Sequence, residues 1–97
     1  MGDLRFTWDK KKAESNLRKH GVSFDEGKSI FFDRNARIIF DPEHSDEEDR
    51  FILMGLSFSL RLIVVCHCYL ESDSVIRIIS ARQATRPEQK QYGDFIS

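Results

Sequence analysis

Residues 61–82, RLIVVCHCYLESDSVIRIISAR, are the stretch around which we expect the rest of this chain to be organised. Two apolar, β-branched runs flank a polar break at residues 71–74, a pattern typical of a β-hairpin. Side chains alternate across a strand, so the even-numbered positions of the first run form one face without a polar member. A turn centred on Ser72 pairs this face with Ile76 and Ile78 and predicts a continuous apolar surface. The even-numbered positions are Leu62, Val64, Cys66, Cys68 and Leu70.

The odd-numbered face of the same hairpin is predicted to be polar at its centre. The turn at Ser72 places His67 opposite Arg77 and Val65 opposite Ile79. An imidazole beside a guanidinium is costly to bury without partners, so this pair suits an anion site better than a core. A register shifted by one residue would turn one strand over and separate the pair.

The composition predicts one globular domain, residues 1–97, with a modest core. Hydrophobic residues make up 40% of the chain and charged residues 32%, which argues against a disordered protein. The formal net charge of −1 gives no general argument for a polyanionic partner and excludes none. The charge is unevenly distributed, because residues 10–20 are basic and residues 41–49 are acidic.

Three features predict a cytoplasmic protein without membrane contact. The N-terminus lacks the apolar segment of a signal peptide, and no apolar run has the length of a membrane span. The two cysteines lie in one predicted strand, which excludes a secreted disulfide framework.

The remaining segments predict the element order β-α-α-β-β-β-β-α. They are a strand at residues 5–8, helices at 9–20 and 23–32, strands at 37–40 and 50–57, and, after the hairpin, a helix at 84–95. Asp9, Ser23 and Thr85 are the expected N-caps, and Glu26 completes a capping box with Ser23. Short turns between neighbouring strands predict an α+β fold, in which two N-terminal helices and a C-terminal helix pack against an antiparallel sheet.

Two patterns suggest a metal, and both are explained better in another way. The acidic loop at residues 43–49 contains His44 but has no metal-ligand spacing, so we expect a solvated loop. In Cys66-His67-Cys68 the sulfurs point to one face of the strand and the imidazole to the other, so the three side chains cannot close one site. We therefore predict buried cysteines, no metal and no cofactor.

The first helix is basic and leaves two alternatives open. Lys12, Lys19 and His20 lie on it among few apolar residues. Such a helix is either an ordinary solvated surface or a basic ridge that contacts a polyanion.

Several side chains have the chemistry for cleaving RNA without a metal. That reaction needs a base for the 2′-hydroxyl, cations around the phosphate and an acid for the leaving oxygen. His67 can supply the base or the acid, and Arg77 and Arg82 can hold the phosphate. Tyr69 or Tyr92 can stack on a base or assist proton transfer. Arginine and histidine are also ordinary on an exposed sheet face, so the pattern alone does not establish catalysis.

Two blocks, KHGVSF at residues 19–24 and IRIISAR at residues 76–82, resemble the BrnT family of type II toxins. The resemblance covers essentially the whole chain. Its further residues are Phe6, Thr7, Trp8, Asp9, Lys12, Ala13, Asn16, Asp41, His44, Ser45, Arg50, Gly55, Arg61, Val64, Val65, His67, Glu88 and Tyr92.

The resemblance implies a RelE-like fold and a metal-independent ribonuclease that inhibits translation. It implies a ribbon-helix-helix antitoxin, called BrnA, and operator DNA that is bound only through the toxin–antitoxin complex. It leaves open whether the toxin forms a dimer within that complex. We expect an acidic or amphipathic antitoxin segment to cover the basic helix or the odd-numbered face. The catalytic candidates are Arg61, His67, Arg77, Arg82 and Tyr92. The RNA-binding candidates are Lys12, Lys19, His20 and Tyr69.

One alternative is a non-enzymatic module that holds an antitoxin and co-represses DNA, its nuclease activity having been lost. A nuclease needs His67 and the arginines to converge on one open surface. Arg77 buried against a carboxylate would instead favour the binding module.

Overall fold

One five-stranded sheet organises the structure, a computed structural model that describes residues 4–40 and 49–97. Its strands are β1 (Arg5–Thr7), β2 (Arg37–Ile38), β3 (Phe51–Leu56), β4 (Leu62–Leu70) and β5 (Val75–Gln83). Its helices are α1 (Lys10–His20), α2 (Phe24–Ser29) and α3 (Arg86–Ile96), with a short 3₁₀ turn, Ile30–Phe32, after α2. The predicted element order and the α+β class are confirmed.

The sheet is mixed, with the strand order β1-β5-β4-β3-β2. Strands β2 to β5 pair antiparallel, as predicted, whereas β1 runs parallel to β5. The connection from β1 to β5 contains both N-terminal helices, and a connection of that length permits parallel pairing. Pairing with β1 ends at Arg77, so the outer edge of β5 beyond that residue is left to other elements.

Both faces of the sheet are covered in the described part of the chain. Helices α1 and α2 lie against the odd-numbered residues of β4, here called the α1/α2 face, and α3 lies against the even-numbered residues, the α3 face. The core on the α1/α2 face consists of Val22, Phe24, Ile30, Ile63, Val65, Ile78 and Ala81. The core on the α3 face consists of Ile52, Met54, Val64, Cys66, Ala84 and Tyr92. The even-numbered face is apolar as predicted, but the odd-numbered face is not an open surface.

The pairing of β4 with β5 corrects the predicted register. A four-residue turn at 71–74 joins the strands, whereas a turn centred on Ser72 would have only three residues. Ile78 therefore takes the predicted place of Arg77 opposite His67. Arg77 lies on the α3 face, opposite to the face that carries His67.

A β-bulge farther along β5 shifts the register by one residue, so the residues after it lie on the faces that alternation predicts. Ile79 has no partner on β4, and from there Ala81 pairs with Val65 and Arg82 with Val64. The bulge allows both Ile78 and Ala81 to pack beneath α1 and α2. In the antiparallel pairing of β3 with β4, Phe51 lies opposite His67.

The helix caps differ from the prediction in one detail. Ser23 accepts a 3.0 Å hydrogen bond from the N–H of Glu26, but the Glu26 carboxylate turns away from the cap to Arg61. The capping box predicted there is therefore half formed. A complete capping box opens α3, where Thr85 and Glu88 each accept from the other's backbone N–H.

Three expectations concern metals, cysteines and membranes. Of the acidic loop predicted at residues 43–49, residues 43–48, which include His44, lie outside the described residues. Among the described residues, no group of three or more His, Cys, Asp or Glu side chains could hold a metal ion, and both cysteines are buried and outside any disulfide. No helix in the ranges 4–40 and 49–97 is long and apolar enough to cross a membrane.

Candidate nucleic-acid interface

The hairpin does not bring the predicted catalytic side chains onto one surface. Arg77 is exposed on the α3 face, opposite Cys68, whereas His67 lies on the α1/α2 face. The prediction that His67 and Arg77 lie opposite each other on the odd-numbered face is therefore wrong. Arg77 also forms no ion pair with a described carboxylate, so the condition that would favour a pure binding module is not met.

His67 is enclosed by aromatic rings. Its side chain is 0% exposed, and the ring of Phe31 stands edge-on at 4.8 Å between centroids. Among the described residues its ring nitrogens have only long contacts, 3.4 Å from Nδ1 to the Val65 carbonyl and 3.4 Å from Nε2 to the Tyr69 hydroxyl. Burial lowers the pKa of His67 below its ordinary value, more than the Val65 carbonyl raises it. This imidazole is neutral at pH 7 and out of reach of a solvent-borne substrate.

Arg61 joins the start of β4 to both N-terminal helices. Its Nε donates to Glu26 Oε2 at 2.9 Å, and its Nη2 donates to Glu26 Oε1 and, at 3.1 Å, to the carbonyl of Gly21. These hydrogen bonds from Arg61, aided by two serine hydroxyls, lower the pKa of Glu26 to about 2 although burial opposes the shift. Gly21 ends α1 in the left-handed conformation, φ 68°, which favours glycine. The Arg61 guanidinium therefore lies at the C-terminal end of α1.

Arg82 is anchored to the first turn of α3. Its Nη1 and Nη2 donate to the two carboxylate oxygens of Glu88 at 2.8 and 3.0 Å. Arg82 holds the pKa of Glu88 below its usual range, and the backbone N–H of Thr85 adds to the effect. The sequence predicted Arg82 as a phosphate ligand, and the structure shows that its charge is already paired.

Tyr92 is a buried link between α3 and the segment before β2. Its hydroxyl donates a 2.6 Å hydrogen bond to Asp33 Oδ2, which also accepts from the N–H of Leu56 at 2.7 Å. Burial and the neighbouring carboxylate raise the pKa of Tyr92 to about 12. Burial alone would raise the pKa of Asp33, but these hydrogen bonds and one from Asn35 lower it. The tyrosine is 6% exposed and holds its proton firmly.

Three of the predicted RNA-binding residues do come together. α1 lies along the free edge of β5, where the Asn16 side chain bonds to the backbone of Ala81. Between helix and strand runs a groove of about 200 Å³, here called the α1/β5 groove. None of its described lining residues is acidic. They are Lys12, Ser15, Asn16, Lys19, His20, Ile79 and Ser80.

Tyr69, the fourth RNA-binding candidate, lies elsewhere. It is 39% exposed and lines a cavity of about 360 Å³ together with Phe51, Asp49 and Asp73. Two carboxylates beside the ring repel a phosphate backbone. Tyr69 is therefore separate from the basic groove.

The sequence did not predict the parts of the site that depend on contacts between side chains of different elements. Ser15 and Asn16 share a helix face with Lys12 and Lys19 at spacings of three and four residues, a signal that could have identified the groove wall. Glu26 was predicted only as a cap residue. No local pattern in the sequence connects it with Arg61, which is 35 residues away.

The fold and the α1/β5 groove define an α+β protein with a surface suited to a polyanion, and comparison with known proteins assigns its family. The model of the family described as "Ribonuclease toxin, BrnT, of type II toxin-antitoxin system" matches residues 8–88. The chain therefore belongs to the BrnT family. It is a ribonuclease toxin of a type II toxin–antitoxin system, and its partner is an antitoxin.

A solved structure supports the fold. The chain is similar to the Brucella abortus ribonuclease toxin BrnT, known from a 1.1 Å crystal structure, with a TM-score of 0.66 and 22% sequence identity. The match covers 87% of this chain and 100% of the Brucella chain. No curated protein matches the sequence.

Proposed function

We propose that this toxin cleaves RNA without a metal ion, and so inhibits translation, while the RNA backbone lies in the α1/β5 groove. The observation that carries the proposal is that Lys12, Lys19 and His20 line one groove whose described walls contain no carboxylate. Closely spaced cations without a competing acid attract a phosphate backbone and release its counterions on binding.

The groove contains the groups that such a cleavage needs. A base must remove the proton of the 2′-hydroxyl, an acid must protonate the leaving oxygen, and cations must stabilise the phosphate. An imidazole can accept and donate protons near neutral pH, and His20 is the imidazole that lines the groove. Lys12 and Lys19 bind the backbone, and Ser15 and Ser80 offer hydroxyl donors.

Two arginines extend this surface beyond the groove. Arg61 lies at the C-terminal end of α1 through its hydrogen bond to Gly21, the residue after His20. There it contacts the phosphate whose cleavage His20 catalyses. Arg77 lies three residues before Ser80 on β5, or about 10 Å along a strand, and is exposed to the RNA as it leaves the groove.

The other catalytic candidates support the fold in this proposal. His67 and Tyr92 are buried, and Arg82 is paired with Glu88. Their substitution is expected to lower stability more than it lowers the cleavage rate of the folded protein.

The antitoxin, in this proposal, is a BrnA-like ribbon-helix-helix protein that inserts an acidic segment into the α1/β5 groove. Opposite charge would speed the association and block the RNA path at once. In this complex the antitoxin segment occupies the α1/β5 groove, so the toxin cannot hold DNA there. Operator DNA is therefore bound only through the toxin–antitoxin complex. Both partners act in the cytoplasm, where the RNA substrate is found.

Cleavage of a defined RNA in EDTA tests the proposal. Lys19→Ala and His20→Ala are compared with wild type, and Lys10→Ala serves as a matched control, since it removes a charge from the same helix but does not line the groove. We expect His20→Ala to lower the rate by about 10²-fold or more and Lys10→Ala to leave it unchanged. Lys19→Ala should weaken RNA binding. It should also make the slope of log binding constant against log salt concentration shallower by about 0.7.

Three other results would each change a different part of the proposed function. Equal activity of all three variants and wild type would remove the groove from the site. Wild-type activity that appears only on adding a divalent cation would contradict the metal-free mechanism. Cleavage that requires added ribosomes would keep the groove and identify ribosome-bound RNA as the substrate.

A further inference from the structure

Glu26 has more hydrogen bonds than its place in the first turn of α2 requires. The residue is 4% exposed. Its Oε2 accepts from the hydroxyls of Ser57 (2.7 Å) and Ser59 (2.5 Å) and from Nε of Arg61 (2.9 Å). Its Oε1 accepts from Nη2 of Arg61. Four donors from the turn between β3 and β4 thus converge on one buried carboxylate.

This arrangement fixes the plane of the Arg61 guanidinium. Two parallel hydrogen bonds to one carboxylate define the orientation of an arginine, which a single bond does not. Nη2 also donates to the carbonyl of Gly21, while Nη1 donates to no acceptor among the described residues. The Arg61 side chain is 35% exposed, and Nη1 is its guanidinium nitrogen without an acceptor among the described residues.

Stability alone does not account for this carboxylate. A buried ion pair contributes little to stability, because desolvation of the two charges offsets their attraction. The start of α2 is already satisfied by Ser23, which caps it. The two serine hydroxyls add donors that keep Glu26 ionised and in one position.

We propose that Glu26 is a positioning residue, which holds Arg61 so that its Nη1 faces the phosphate of an RNA strand leaving the α1/β5 groove. The inference rests on the proposed function, in which Arg61 contacts RNA. Glu26 acts through Arg61 and does not itself touch the substrate.

A double-mutant cycle in the 97-residue chain tests this role. Wild type, Glu26→Gln, Arg61→Met and the double variant are compared in RNA cleavage in EDTA and in binding of a 2′-O-methyl RNA that cannot be cleaved. We expect Arg61→Met to lower the cleavage rate by about 10²-fold. Glu26→Gln should lower it by about 10-fold, since a displaced group loses most of its effect. In the Arg61→Met background Glu26→Gln should have no further effect on cleavage or binding.

Two controls separate positioning from other causes. Asp94→Asn removes one negative charge on α3, as Glu26→Gln does on α2, and should leave cleavage unchanged. Urea unfolding of the four proteins reports on stability. We expect the double variant to regain stability that Arg61→Met loses, because it no longer buries an unpaired carboxylate, and yet to remain inactive.

Other outcomes would contradict the role of Glu26, the place of Arg61 in the site or the metal-free mechanism. If Glu26→Gln has no effect, or has the same effect with and without Arg61, the positioning role is overturned while the Arg61→Met result still supports the proposed function. If Arg61→Met retains full cleavage and RNA affinity, Arg61 is not in the site and the inference falls with it. If wild type cleaves only when a divalent cation is added, the metal-free mechanism fails, and non-additive RNA binding still decides the role of Glu26.

Discussion

The side-chain amide of Asn16 pairs with both backbone groups of Ala81. Its Nδ2 donates to the Ala81 carbonyl at 2.7 Å, and its Oδ1 accepts from the Ala81 N–H at 3.1 Å. The same Nδ2 donates to the carbonyl of Val22 at 2.9 Å. One helical side chain thus takes the place of a neighbouring strand at the free edge of β5, and it sets the distance between the two walls of the groove.

Replacement of Asn16 should therefore destabilise the protein strongly. Asn16→Ala leaves the buried backbone groups of Ala81 unsatisfied, at a cost of about 2–4 kcal/mol. Asn16→Asp should be no better, because a carboxylate faces two carbonyl oxygens. Urea unfolding measures the loss, with Lys11→Ala as a control on the same helix. A loss below about 0.5 kcal/mol would show that the amide is not needed at this edge.

Tyr92→Phe separates a structural from a catalytic tyrosine. Loss of the 2.6 Å hydrogen bond to Asp33 should lower the free energy of unfolding by about 1–2 kcal/mol, since Asp33 keeps its backbone donors. The folded variant should cleave RNA at the wild-type rate. Unfolding and single-turnover cleavage are measured on the same preparation. A large loss of rate without a loss of stability would return Tyr92 to the catalytic site.

His67 predicts a dependence of stability on pH. Its folded-state pKa lies below the value of 6.5 for an unburied histidine, so between the two values the unfolded chain binds more protons. Stability is complete above pH 6.5 and falls as the pH decreases, by at most about 1.4 kcal/mol per pH unit. Chemical denaturation between pH 7 and pH 5 should show this slope.

The variant His67→Phe isolates the histidine's share of that slope. Between pH 7 and pH 5 its stability should change less with pH than that of wild type, because the buried group no longer titrates. Glu26, whose pKa is lowered to about 2, loses its contribution only below pH 4.5 and does not interfere. An equal slope in variant and wild type would assign the effect to other groups.

The turn between β4 and β5 contains backbone strain that glycine should relieve. Glu71, Ser72 and Asp73 have φ values of 50°, 56° and 68°, a left-handed region that costs side chains about 1 kcal/mol each. Ser72→Gly relieves the strain at this position but also gives the unfolded chain more conformational entropy, which opposes folding. The net effect should be a rise of about 0.5 kcal/mol in the free energy of unfolding. Ser74→Gly, outside the left-handed stretch, should lower it. The same sign for both variants would contradict this account.

Local sequence patterns were sufficient to predict the secondary-structure elements and their order, and two short motifs to predict the family. Alternation of apolar residues along residues 62–70 gave the strand and its apolar face, and Asp9, Ser23 and Thr85 fixed the starts of the helices. These features depend on neighbours within a few residues of each other, so local physics is sufficient to predict them. The blocks at residues 19–24 and 76–82 carried the family resemblance.

Which side chains come into contact depends on tertiary packing. The turn at 71–74 has no glycine to mark its left-handed residues, so its length, and with it the face of Arg77, was not readable from the sequence. The burial of His67 depends on where α1 and α2 pack. The pairing of Arg61 with Glu26 depends on a contact across 35 residues. Such contacts follow from how whole elements pack, and neither spacing nor propensity encodes them.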